Sequence, residues 1–153
     1  MKFFTAAWAT GELPDEEHEA AIPAYARNLS SLCLPTHLQP LVDADLHDAL
    51  VEAVERQGDT LTLSLIAGDL QRGYHSTSIT YRGFELVVGS EQLESGVEEE
   101  ATEILYDEID RYQDRYVHRL LFSTYTHAEI SFDSVAVHMS PRQTRENEHG
   151  SAS

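Results

Sequence analysis

The chain is short of cysteine, of cations and of long apolar runs, and each shortage closes off a class of protein. Cys33 is the only cysteine among 153 residues, so no internal disulfide can form and a reducing compartment is expected. No stretch reaches the ~18 consecutive apolar residues of a membrane span. Residues 1–8 carry one lysine and no extended apolar core, unlike a secretory leader. These features together predict a cytoplasmic protein. Ten Lys+Arg face 27 Asp+Glu, a formal net charge of −17. Nucleic acid and anionic membranes should repel such a body, whereas a basic protein partner should be drawn to it. The plainer reading of the same charge is solubility. Also missing are a phosphate-binding GxxxxGK[ST] run, a GxSxG elbow, an HExxH pair and paired cysteines, so no cofactor is implied.

What is present is a strong period of two. Leu61, Leu63 and Leu65 alternate with Thr60, Thr62 and Ser64, and Ile79 and Tyr81 alternate with Ser78 and Thr80. Such alternation marks antiparallel strands with one apolar face. Gln57-Gly58 reads as a two-residue hairpin turn, which would set Leu50 opposite Leu65 and Val54 opposite Leu61. Arg82-Gly83 reads as a second tight turn, setting Tyr81 opposite Phe84 and Ile79 opposite Leu86. Leu61, Leu63, Leu65, Ile79, Tyr81, Phe84, Leu86 and Val88 then share the core face, and Thr62, Ser64, Ser76, Ser78 and Thr80 the other.

Before the sheet, Asp15, Glu16 and Glu17 suit the first turn of a helix, and Ala21, Ala24, Tyr25, Leu29 and Leu32 continue at helical spacing. Pro23 either kinks this helix or starts a second one. A short helix over 37–44 follows Thr36. Phe3, Phe4 and Trp8 are expected to cap the core as an edge strand or docked arm. Beyond the hairpins, residues 90–102 are acidic and read as loop or weak helix. Residues 103–110 suit either a helix or a strand; 117–123 is strand-like, and 129–132 and 135–139 are the last strands. The fold class is α+β: an N-terminal helical segment on an antiparallel sheet of six or seven strands, with a curled sheet or sandwich as variants. One domain over 1–139 is expected, helical over 14–44 and sheet over 49–139, with 140–153 as a disordered tail.

Several runs taken in order are familiar: Phe3-Phe4-Thr5 with Trp8, Leu46-His47-Asp48-Ala49, Gly68-Asp69-Leu70-Gln71-Arg72-Gly73-Tyr74, Tyr81-Arg82-Gly83, Ile104-Leu105-Tyr106-Asp107-Glu108 and His118-Arg119-Leu120-Leu121-Phe122. Together they resemble a family of small bacterial proteins known only as a domain of unknown function. The resemblance runs to about Met139 and departs at His75-Ser76-Thr77, where relatives tend to carry an aromatic and acids. It implies an autonomous bacterial domain, supports a strand over 103–110, and implies no activity.

The candidate site residues follow from pairing 103–110 with 117–123 through a connection over 111–115. Glu108 then faces His118, a carboxylate–imidazole pair able to move protons near neutral pH or to serve as an ordinary cross-strand contact. Asp107 faces Arg119 on an apolar face, as a ligand-orienting or a register-fixing ion pair. Asp69, Arg72 and Tyr74 lie on a polar loop that either binds a ligand or braces itself. His75 could join His118, Asp69 or Glu108 around a metal, although no ligand spacing requires it. His47 and Asp48, neighbours on a strand, should point apart. Cys33, ending an apolar helical run, should be packed.

Two functions compete. One is a non-enzymatic acidic module that holds a basic protein, as an immunity or inhibitor protein holds a cationic toxin, with Tyr112, Tyr116 and Tyr125 as anchors beside Asp110, Asp114 and the acids of 91–103. The other is a small hydrolase or metal-dependent enzyme built from Glu108, His118, Asp69 and His75. A third is an oligomer-forming domain whose exposed strand edges pair with themselves.

Overall fold

A computed structural model of the chain describes residues 1–89 and 102–142. The acidic stretch 90–101 and the tail from 143 onward lie outside the described residues. The chain opens as an extended arm and a one-turn helix, α1 (Ala6–Ala9), whose start is capped by Thr5: the Trp8 N–H donates to Thr5 Oγ1 at 3.1 Å. Helix α2 (Asp15–Ser31) is continuous through Pro23. Pro23 and Glu19 are exposed, so the Glu19 carbonyl that Pro23 cannot serve faces water. A 3₁₀ turn (Thr36–Leu38) leads into α3 (Gln39–Asp43), with Pro40 in its first turn. Cys33 is exposed rather than packed. It ends α2 with a left-handed φ of 49°, which turns its side chain off the apolar stripe.

Among the described residues eight strands follow, rather than six or seven: β1 (Ala49–Gln57), β2 (Thr60–Asp69), β3 (Gly73–Arg82), β4 (Glu85–Val88), β5 (Glu103–Tyr112), β6 (Arg115–Phe122), β7 (His127–Phe132) and β8 (Ser134–Arg142). They form one antiparallel sheet in the order β4-β7-β6-β5-β1-β2-β3-β8. The segment 103–110 is strand, within β5. The final strand reaches past Met139 because Pro141 and Arg142 still pair with His75 and Tyr74.

The order forces the sheet to roll up. Strands β3 and β4 lie six strand spacings apart, about 29 Å in a flat sheet. Only Gly83 and Phe84 join them, a link of at most about 11 Å. Between β7 and β8, also six spacings apart, Asp133 alone makes the crossing. Arg115 fastens this seam: its guanidinium binds Asp133 at 2.8 Å, Ser131 Oγ at 3.3 Å and the Gly83 carbonyl. The rolled inner face holds the main core, in which Leu61, Leu63, Leu65, Ile79, Tyr81, Ile109, Leu120, Phe122, Ile130 and Phe132 are buried. The arm and α2 cover part of the outer face, where Phe4, Trp8 and Ala21 make a second cluster against Tyr25 and Tyr106.

Alternation along β2 and β3 runs as the sequence predicts, with Leu61 opposite Tyr81 and Leu63 opposite Ile79. Three registers differ. The first hairpin turns at Gly58-Asp59, not Gln57-Gly58, because Gly58 takes the left-handed φ of 61° at the first loop position. With an irregularity between Val51 and Ala53, Leu50 then faces Ile66 and Val54 faces Leu63. Arg82-Gly83 is a crossing and not a hairpin: Tyr81 lies opposite Val135, and Leu86 lies opposite Ile130 on the far edge. Finally, β5 and β6 are joined by the two residues Gln113-Asp114, Gln113 adopting a φ of 57°. That tighter turn slips the pair by one residue, so Glu108 faces Arg119 and Ile109 faces His118.

Candidate functional site

The one-residue slip sorts the charges of β5 and β6 onto two sides of the sheet. Asp107, Ile109, His118 and Leu120 point to the rolled interior; Glu108, Asp110 and Arg119 point to the helix side. The expected pairs, Glu108 with His118 and Asp107 with Arg119, are therefore exchanged.

Inside, His118 is fully buried between two partners. Its Nε2 lies 2.8 Å from Asp107 Oδ2, and its Nδ1 lies 2.6 Å from the Tyr81 hydroxyl. Tyr81 is fully buried, and among the described residues His118 is its hydrogen-bond partner. One arrangement satisfies every group: the Tyr81 O–H donates to Nδ1, and a neutral imidazole donates its Nε2–H to Asp107. Burial, with the Asp107 charge behind it, pushes the Tyr81 phenol well above its ordinary range. Asp107, with 22% of its side chain exposed, is the only end of this chain that meets water. The Tyr–His–Asp chain thus orients an imidazole but offers its phenol to nothing outside the core.

On the helix side, the buried Glu108 carboxylate collects the N-terminal arm. It accepts the N–H groups of Lys2 at 2.9 Å, Phe3 at 2.6 Å and Phe4 at 2.6 Å. Arg119 stands beside it, 3.5 Å from Glu108, 2.8 Å from Asp110 and 3.3 Å from Glu129. Burial raises the Asp110 carboxyl, but Arg119, the Arg111 N–H and Asn28 bond to its ionised form, so its pKa ends below the usual carboxylate range. Tyr25 on α2 accepts the Ile109 N–H at 2.9 Å. Its burial lifts the phenol to about 12, helped by the charges of Asp107, Glu108 and Asp110. This cluster fastens arm and helix to the sheet.

The β2–β3 hairpin end is a third place. Asp69 Oδ1 accepts the N–H groups of Gln71 and Arg72 at 2.9 and 2.6 Å, a self-bracing turn. Gly68 is required there: its φ is 102°, and a side chain would meet the Gly73 carbonyl. Arg72 reaches Asp45 at 3.5 Å over a small cavity of about 180 Å³, lined by Asp43, Asp45, Arg72, His75 and Met139 among others. Tyr74 is half-buried, opposite Gly68 and Arg142. His47 and Asp48 touch at 3.4 Å, contrary to expectation, because they precede β1 and Asp48 takes a φ of 61°.

Asp69, Arg72, His118 and Arg119 therefore do not converge, and neither do the four residues of the hydrolase reading. Among the described residues no three of His, Cys, Asp or Glu gather as metal ligands, and no helix is long and apolar enough to cross a membrane. Tyr116 is half-buried and packs 6.2 Å from the Phe132 ring, whereas Tyr112 and Tyr125 are exposed, Tyr112 at 64%. The residues that sequence reasoning missed are Tyr81, Glu129 and Asp45. Nothing local marks Tyr81 as a partner of His118, since the roll of the sheet alone brings them together.

A family described as "Protein of unknown function (DUF4085)" matches residues 5–132, from the cap of α1 to the end of β7. The chain belongs to that family. The DUF4085 match takes in both charge clusters and the hairpin end, and stops short of β8. No curated protein and no solved structure matches the chain.

Proposed function

We propose that the chain is a non-enzymatic acidic module for a basic protein partner, of the immunity or inhibitor kind. The observation that carries this is the distribution of charge. Arg72, Arg115, Arg119 and Arg142 are each paired to an acid of the chain itself, which leaves few cations to offset the other acids of a chain whose net charge is −17. Exposed acids include Asp15, Glu16, Glu17 and Glu19 on α2 and Asp114 at the β5–β6 tip. Beside Asp114 stands Tyr112, a large aromatic ring in water, the type of residue that anchors interfaces. Asp110, spent on Arg119, is not part of this surface. The groups with acid–base chemistry support the reading too, because Glu108, His118 and Asp107 are occupied in bonds that hold the fold.

The test is binding to a set of cationic nuclease domains, read by calorimetry and by inhibition of cleavage. Affinity should fall at least tenfold between about 50 and about 200 mM salt. Tyr112→Ala should weaken it by a further tenfold, ~1.4 kcal/mol. Binding indifferent to both salt and Tyr112, or none at low salt, would reject the proposal.

A further inference from the structure

The sheet has two edges, and they are built differently. Strand β4 is four residues long, carries Glu85 and is irregular between Leu86 and Val88; shortness, charge and a bulge are the usual ways of making an edge unfit for pairing. Strand β8 has none of the three over most of its length. It pairs with β3 in one unbroken register from Ser134 to Arg142. From Ser134 through Ser140 it reads Ser-Val-Ala-Val-His-Met-Ser, without a charged residue. Among the described residues its outer side has no neighbouring strand.

Pro141 fixes which backbone groups that outer side presents. Having no N–H, it occupies a position whose amide nitrogen points away from β3. The unbroken register carries the same parity to Met139, Val137 and Val135, so the N–H and C=O groups of these three point outward. Their side chains share the inner face: Val135 and Val137 lie against the core, and Met139 is 59% exposed.

We infer that β8 is the self-pairing edge of a two-fold dimer, with a second copy of this chain as its occupant. Antiparallel pairing about Val137 sets Val137 against the partner subunit's Val137, and Val135 and Met139 against the partner subunit's Met139 and Val135. Every outward N–H and C=O of these residues then meets its complement in a continuous ladder, which ends where Pro141 has nothing to donate. Ala136 and His138 face each other on the outer side. No charge lies opposite another in the paired segment, and the exposed Met139 is covered by a valine. A cavity of about 310 Å³ bordered by Pro40, Asp43, Ala44, Val137 and Met139 adjoins this line and leaves room for the incoming side chains. The surface is distinct from the β5–β6 tip, so the dimer stands or falls independently of the basic-partner proposal.

Charge gives the two ideas opposite signatures. Two bodies of −17 repel at long range, so salt should strengthen the dimer while weakening a basic complex. The experiment is sedimentation equilibrium of the full chain from a few micromolar to several hundred micromolar, at low salt and at about 0.5 M salt. Mass should rise from 17.2 kDa toward twice that value, with a dissociation constant several-fold lower at high salt. Met139→Glu changes an exposed side chain, and Val137→Pro removes an outward donor at the two-fold axis. Each should raise the dissociation constant at least tenfold with an unchanged circular dichroism spectrum. Should Val137→Pro not fold, Met139→Glu alone decides. A mass fixed at 17.2 kDa under all conditions overturns the inference, as does dimerisation that Met139→Glu leaves intact or a complex of any other stoichiometry.

Discussion

Replacing Glu108 by glutamine should undock the N-terminal arm before it unfolds the sheet. The carboxylate accepts three consecutive amides, those of Phe3 and Phe4 at 2.6 Å and that of Lys2 at 2.9 Å, and sits 3.5 Å from Arg119. A glutamine carbonyl can keep the Phe3 and Phe4 N–H groups. Its NH₂ group must then point at the Lys2 N–H and the guanidinium, donor against donor. A bond to a charged acceptor contributes about 1.5–3 kcal/mol, and the two retained bonds lose their charge assistance. Arg119 keeps Asp110 and Glu129, so no cation is stranded. The total comes to about 2–4 kcal/mol. The arm is held otherwise by burial of Phe4 and Trp8, at about 1.5–3 kcal/mol per side chain, by the Met1 ammonium 3.6 Å from Glu129 and by the Trp8 Nε1–H donated to the His18 carbonyl at 2.9 Å; these are fewer ties than the paired strands have, which makes its release the easiest response. Trp8 is the only tryptophan of the chain and reports on the arm, while far-ultraviolet circular dichroism reports on the sheet. In urea the two signals should coincide for the native chain. In Glu108→Gln the Trp8 transition should move to lower urea by that amount and run ahead of the sheet. A Trp8 transition unchanged within ~0.5 kcal/mol, or one that stays coincident with the sheet, would refute the assignment of Glu108 as the anchor.

Two further outcomes follow from the same clusters. Tyr81→Phe removes the hydroxyl that donates to His118 Nδ1 inside the core, and should cost about 1–3 kcal/mol in urea unfolding; a loss below ~0.5 kcal/mol would mean that water enters the core to take its place. His127 is held below its ordinary value of 6.5, first by burial and then by the N-terminal ammonium, against Glu129 and Glu108. A histidine depressed in the fold binds its proton more readily when unfolded. Its contribution is therefore complete above about pH 6.5 and is lost as pH falls through the folded value. Urea midpoints measured from pH 7.5 down to 5 should decline less steeply for His127→Gln than for the native chain, and equal slopes would rule the histidine out.

Legibility ended where turns and long-range closure began. The side-chain parity of β2 and β3 could be read because one face is buried, and burial pins alternation. The β5–β6 register could not, because Gln113 rather than a glycine supplies the left-handed turn residue, and a glutamine sends no turn signal. One residue of error exchanged all four charged partners, since successive side chains on a strand point to opposite sides. The position of β4 was hidden for another reason. Arg82-Gly83 has the composition of a hairpin, but β8 takes the edge of β3 and β4 pairs with β7 instead. Tyr81 and His118 sit on strands four places apart in the sheet, so their contact belongs to the roll and to no local pattern.

The alternation that sorts the β5–β6 charges also says where function should be sought. Even-numbered β5 residues, Glu108 and Asp110, are used to hold the arm and α2; odd-numbered Asp107 is used to hold His118. Once a charged group supplies the only partner of a buried donor, altering it costs stability before it changes any chemistry. Substitutions at Glu108, Asp107, His118 or Arg119 will therefore lower function through folding, whatever the function is, and a loss of activity there identifies no site. Tyr112 and Met139 are the opposite case: large, exposed at 64% and 59%, and outside both charge clusters. A change at either that alters binding or mass while the urea midpoint holds marks an interface directly. The two residues lie on different parts of the fold, one at a hairpin tip and one on an edge strand, so each can be altered with the other as its control.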